Sequence, residues 1–124
     1  MITRKTKHSA GADITSNVDC KIAPNETLKM PTGVFGKDIA LPINTYGKLE
    51  SRSSLAAKGL IVIGGVIDND YEGEICVLLH NLSKMDITIS KGARIAQLIV
   101  LPFVQHFPAE DIQRGTGGFG STGQ

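Results

Sequence analysis

The richest concentration of reactive side chains is Gly64-Gly65-Val66-Ile67-Asp68-Asn69-Asp70-Tyr71-Glu72-Gly73-Glu74, with four carboxylates in seven positions beside a tyrosine. A polar hairpin tip would account for it, with Asn69-Asp70 forming the turn and the carboxylates solvated. Asp68 directly follows Val66-Ile67, however, so a sheet edge could hold its carboxylate in place. A carboxylate held that way can orient and deprotonate a water, which is the task of a general base. Tyr71 could offer its ring face to a sugar.

The tail supplies complementary chemistry in Arg114-Gly115-Thr116-Gly117-Gly118-Phe119-Gly120-Ser121-Thr122-Gly123. Backbone N–H groups in glycine-rich turns converge on phosphate oxygens, hydroxyls add donors, and Arg114 adds a forked cation. The Gly-Lys-Ser/Thr signature is absent and no helix follows in the given chain, which argues against a Walker-type NTPase. A glycine-rich tail without function fits the composition equally well. Phe119 argues against that, because one aromatic on a pliable arm suits closure over a flat ring.

Ser51-Arg52-Ser53-Ser54 opens an expected helical turn, where serine donors and an arginine make a natural anion site. Ordinary capping by Ser53 or Ser54 would explain the serines but not Arg52. Asp13, in Ala10-Gly11-Ala12-Asp13, and Gln97, in Arg94-Ile95-Ala96-Gln97, are weaker signals, each readable as a turn aspartate or a strand amide. His8, His80 and His106 lack metal-ligand spacing, and no serine or cysteine stands beside an evident base.

The elements that must position these groups are short strands between frequent breaks, with fourteen glycines and five prolines in 124 residues. Apolar or alternating runs at 60–63, 75–79, 87–89 and 95–104 read as strands. Only 53–58 reads as helix, with a serine cap at its start and Gly59 as its stop. One short helix among strands indicates an all-β sandwich or barrel. Residues 1–112 are expected to form the body and 113–124 an arm that stays mobile until something holds it.

Thirteen basic and twelve acidic residues nearly cancel, which argues against a direct nucleic-acid binder. A domain this small has little interior for a closed pocket, so a sizeable ligand belongs in a groove or between subunits. Cys20 and Cys76 are expected to be buried free thiols, consistent with a reducing compartment. No apolar run is long enough to span a membrane, the basic start is no signal peptide, and Asn81-Leu82-Ser83 is a chance glycosylation match. These features suit a soluble intracellular protein of cytoplasm or nucleus, or a viral product.

Taken in order, Ala10-Gly11-Ala12-Asp13-Ile14, Arg52-Ser53-Ser54, the stretch 65–74, Arg94-Ile95-Ala96-Gln97-Leu98 and the stretch 114–123 resemble the five motifs of the trimeric dUTPases. The third and fifth are long and specific, while the first and fourth would mean little alone. Ser51 departs from the pattern, since many members have glycine before the arginine. The resemblance implies a distorted jelly-roll or β-sandwich subunit in a homotrimer that exchanges its C-terminal arms. It implies a dUTP diphosphatase, forming dUMP and pyrophosphate with Mg²⁺ at sites shared between subunits.

In that scheme Asp68 activates the water, and Tyr71 packs under the deoxyribose and leaves no room for a 2′-hydroxyl. The backbone of Gly65, Val66 and Ile67, continuing to Tyr71, reads the uracil edge. Arg52, Ser53 and Ser54 hold phosphates, and Gln97 bonds phosphate or water. Asp13 meets Mg²⁺ through water. Arg114, Ser121 and Thr122 grip the γ-phosphate, Gly118 and Gly120 contribute to substrate binding, and Phe119 stacks on the base. A dCTP deaminase shares the fold but is longer with different catalytic motifs; intact Asp68, Arg114 and Phe119 argue against a purely non-catalytic nucleotide-sensing module, while binding of a further protein partner stays open as an added role.

Overall fold

The computed structural model describes residues 2–110. Ten strands and two single-turn helices make up these residues, so the architecture is all-β, as expected. A five-stranded sheet has the order β1 (Ile2–Thr3), β2 (Ala12–Thr15), β10 (Arg94–Pro102), β5 (Thr45–Glu50), β7 (Val66–Ile67). A second sheet is β4 (Thr27–Phe35), β8 (Glu74–Asn81), β6 (Leu60–Val62), and a third pairs β3 (Cys20–Ile22) with β9 (Ile87–Ile89). Every pairing is antiparallel.

The core follows from alternation along these strands. On β8, Ile75, Val77, Leu79 and Asn81 are buried, and Ile14, Ile22, Leu49 and Leu98 from other strands meet the apolar members. Period-2 patterning commits one face of each strand to this interior. Asn81 is fully buried and satisfied there. Its amide donates to the carbonyls of Ile22 (2.9 Å) and Met85 (2.8 Å) and accepts from the Ser83 N–H (2.9 Å) and hydroxyl (2.7 Å). A side chain so enclosed is not a glycan acceptor.

Three expectations need correction. The chain has a second helix, α1 (Gly36–Ile39), besides α2 (Ser53–Ala56). A four-residue turn carries no periodicity to read. The expected serine cap is also absent: Arg52 occupies the N-cap position of α2, with no side-chain capping bond. Gly59 does end that segment, with φ +93° where a side chain would strain the backbone. Of the thiols, Cys76 is buried but Cys20 only partly so, with its Sγ 3.5 Å from the Met30 sulfur. Among the described residues no helix is long and apolar enough to cross a membrane.

Candidate active site

The register of the large sheet assembles the first half of the site. Gln97 on β10 lies opposite Asp13 on β2 and Glu50 on β5, so these three residues share one sheet face. A bulge between Arg94 and Ala96 makes this possible. Ile95 and Ala96 are both buried, and the slip then turns Gln97 outward toward Asp13. Arg52 follows two residues beyond the end of β5, with Ser53 and Ser54 in the first turn of α2.

Asp13, Gln97, Arg52, Ser53 and Ser54 line a groove of about 300 Å³, together with Lys5, Ser9 and Gly11. Asp13 is the electrostatic pivot. One of its carboxylate oxygens is 3.6 Å from Arg52 Nε and the other 3.6 Å from Arg94 Nε. Arg52 also donates to the Arg94 carbonyl at 3.2 Å, so its guanidinium is held from two sides. Gln97 donates to the Ser51 carbonyl at 3.0 Å. Gly11 permits this packing, since a Cβ there would lie 2.5 Å from Gln97 Oε1. Ser51, the departure from the family pattern, accepts the Val62 N–H at 2.9 Å through its hydroxyl, a structural bond. Among the described residues the Ser53 and Ser54 hydroxyls meet no partner, which leaves them available as donors to an anion.

Asp68 is placed differently. β6 and β8 pair as neighbours, but the chain between them leaves their sheet, and β7 joins the edge of the other one beside β5. Ile67 turns into the core, so Val66 and Asp68 face outward. Gly47 opposite Ile67 keeps this approach close, for a Cβ there would sit 3.0 Å from Leu98 and 3.2 Å from Ile67. The expected turn at Asn69-Asp70 forms, with Tyr71 N–H donating to the Asp68 carbonyl at 3.1 Å. Asn69 ties the turn to β5 through the Thr45 carbonyl at 3.0 Å. Asp68 thus sits at a braced sheet edge rather than on a loose tip.

A second cavity of about 240 Å³ is lined by Asp68, Val66, Tyr46 and Phe103, the two aromatic rings meeting edge to face at 6.1 Å. The Tyr71 ring packs against the core, and its hydroxyl donates to the Glu74 carbonyl at 2.7 Å. The other side of this arm is clamped where α1 begins, Gly36 N–H donating to the Gly73 carbonyl at 2.8 Å.

A single chain therefore gathers Asp13, Arg52, Ser53, Ser54 and Gln97 in one groove and holds Asp68 in another. Sequence reasoning missed Lys5 and Ser9 in the first and Tyr46 and Phe103 in the second. The basic run of Arg4, Lys5 and Lys7 was the only available sign of the former. Arg114, Gly118, Phe119, Gly120, Ser121 and Thr122 lie outside the described residues.

Such a molecule falls in the class of small all-β proteins with a polar groove on a sheet face and a carboxylate mounted at a sheet edge. The dUTPase family model matches residues 1–123. The chain is 44% identical to the mitochondrial deoxyuridine 5'-triphosphate nucleotidohydrolase of Homo sapiens, over 98% of this chain and 50% of that protein. It is 43% identical to the enzyme of the same name from Paramecium bursaria Chlorella virus 1, over 97% of this chain and 87% of that one. Among solved structures, a mutant of the Staphylococcus bacteriophage 80alpha dUTPase with dUpNHpp superposes with TM-score 0.77 at 26% identity, covering 100% of this chain and 92% of that chain. The chain spans half the length of the human relative and most of the viral one. It belongs to the dUTPase family.

Proposed function

We infer that the chain hydrolyses dUTP to dUMP and pyrophosphate. Family membership and relatives named for this reaction support the activity. The observation that carries its mechanism is a braced carboxylate, Asp68, in a chain that also holds a separate groove lined by Arg52, Ser53 and Ser54.

The residues divide the work as follows. Arg52, Ser53 and Ser54 donate to the phosphate chain, and Asp13 fixes the Arg52 guanidinium so that no reorganisation is needed when the anion arrives. Gln97 orients a phosphate oxygen or the attacking water. Asp68 accepts the proton of that water and aligns it for in-line attack at the α-phosphorus. Tyr71, anchored at its hydroxyl, presents its ring to the deoxyribose. The backbone of Gly65, Val66 and Ile67 reads the base, since a cytosine would leave its polar groups mispaired. Arg114 and Phe119, which lie outside the described residues, are assigned from the family resemblance to the γ-phosphate and the base.

Among the described residues no three His, Cys, Asp or Glu side chains converge as a metal-ligand cluster. The donor set fits Mg²⁺ carried mainly by phosphate oxygens, with Asp13 at the groove reaching it through water. When bound, the ion would neutralise charge on the phosphate chain.

The groove and the Asp68 cavity share no lining residue, and in the homotrimer that the dUTPase resemblance implies one copy's Asp68 arm would complete another copy's groove. The test is product analysis with Mg²⁺ across dUTP, dCTP, dTTP and UTP, run beside a native mass measurement. Pyrophosphate released from dUTP alone by a trimer is expected. A monomer inert toward dUTP, or ammonia formed from dCTP, would overturn the reading.

A further inference from the structure

We propose that Lys5 is a polyphosphate-binding residue of the groove, delivered by the N-terminal turn. This deepens the dUTPase reading and rests on it for the identity of the substrate.

Placement is the first argument. β1 pairs with β2 so that Thr3 stands opposite Asp13, and the chain leaves β1 alongside the groove. The turn that follows is built rather than loose. Thr6 N–H donates to Ser9 Oγ at 3.0 Å, Ser9 N–H donates to the Thr6 carbonyl at 3.2 Å, and the two hydroxyls lie 2.9 Å apart. Arg4 donates to the Lys7 carbonyl at 3.0 Å across the same turn. Lys5 and Ser9, at either side of it, both line the groove with Arg52, Ser53 and Ser54.

Charge is the second argument. The carboxylate of Asp13 lies against two guanidiniums, so part of the field of Arg52 is already spent inside the protein. Lys5 is exposed and has no ion-pair partner among the described residues. Its ammonium is thus the groove's uncommitted cation among these residues. An ammonium on a pliant four-carbon stem can follow a phosphate chain as a point charge, where the fixed fork of Arg52 cannot.

The test compares the parent full chain with Lys5→Gln, Lys5→Arg and Lys7→Gln, measuring dUTP turnover with Mg²⁺ and competitive inhibition by inorganic pyrophosphate. Lys5→Gln should raise KM for dUTP and Ki for pyrophosphate roughly five-fold, the scale of one exposed charge contact, with kcat within about two-fold. Lys5→Arg should restore both, Lys7→Gln should change neither, and added salt should shrink the difference. Unchanged constants in Lys5→Gln, an equal loss in Lys7→Gln, or no recovery in Lys5→Arg would each overturn the proposal. If the parent leaves dUTP untouched, the dUTPase reading falls, while the pyrophosphate affinity of the same variants, measured directly by calorimetry, still decides the role of Lys5.

Discussion

Gly36 belongs to none of the five motifs, yet Gly36→Ala should cripple the enzyme. A Cβ at this position would overlap the Tyr71 carbonyl oxygen outright and lie 2.8 Å from its carbon and 3.1 Å from the ring's Cδ2. Carbon atoms pack at about 3.5–4.0 Å, so the Tyr71 peptide must retreat by roughly 1 Å. That movement strains or breaks two backbone bonds, Gly36 N–H to Gly73 (2.8 Å) and Lys37 N–H to Glu72 (3.4 Å). At about 1 kcal/mol each, added to about 1–3 kcal/mol for overpacking, the cost is roughly 3–5 kcal/mol. The turn carrying Asp68 ends on the same residue, through the bond from the Tyr71 N–H, so a shift of Tyr71 moves the Asp68 carboxylate too. A misplacement of about 1 Å costs on the order of 100-fold in rate. The assays are urea unfolding at matched protein concentration and kcat on dUTP. Gly65→Ala serves as the stability control, because its Cβ would touch only Leu49 Cδ1, at 3.7 Å. Equal unfolding midpoints and equal kcat for Gly36→Ala and the parent would refute the clamp.

Asp68→Asn should keep KM for dUTP and lose about 10²- to 10⁴-fold in kcat, as removal of a general base does; undiminished single-turnover rates would remove Asp68 from that role. Asn81→Ala strips donors from two carbonyls and an acceptor from Ser83, so it should cost about 3 kcal/mol or more in denaturant unfolding, and a loss below about 1 kcal/mol would contradict the buried network. Burial first, then the charge of Glu74, raises the Cys76 thiol; burial, then Glu26 and Asp19, raises Cys20. The native chain therefore keeps protons that the unfolded chain has released. The stabilisation is complete below the ordinary thiol value of 9.0 and is lost as pH rises through the raised values. A Cys20→Ala/Cys76→Ala double variant should lose less stability than the parent on alkaline titration; parallel curves would contradict this.

The parts of the fold that could be read in the sequence were those whose burial is written as an apolar run. β6, β8, β9 and β10 fall within a few residues of the expected strands. β4 was missed because Lys29 and Pro31 interrupt its pattern. Pro31 is tolerated because it lies where the register with β8 begins to slip, and its carbonyl is used by Asn17 N–H at 2.9 Å. β2 and β5 are held by pairing with β10, a long-range contact that no local window contains. For the site, motif order named Asp13, Arg52, Ser53, Ser54 and Gln97 as partners, and the sheet register brings them together. Their electrostatic arrangement, with Asp13 bridging Arg52 and Arg94, depends on a bulge that one-dimensional spacing does not encode.

The passage of the chain from one layer to the other between β6 and β7, and its return at β8, makes the aim of Asp68 a gauge of interlayer distance. One sheet holds the turn through β7 and Asn69, and the other holds the far end of the arm through Gly36 and Gly73. Heat or pressure that eases the layers apart by a fraction of an ångström would misdirect it while every ladder stayed intact. Turnover should then fade ahead of the far-ultraviolet signal, as inactivation without unfolding.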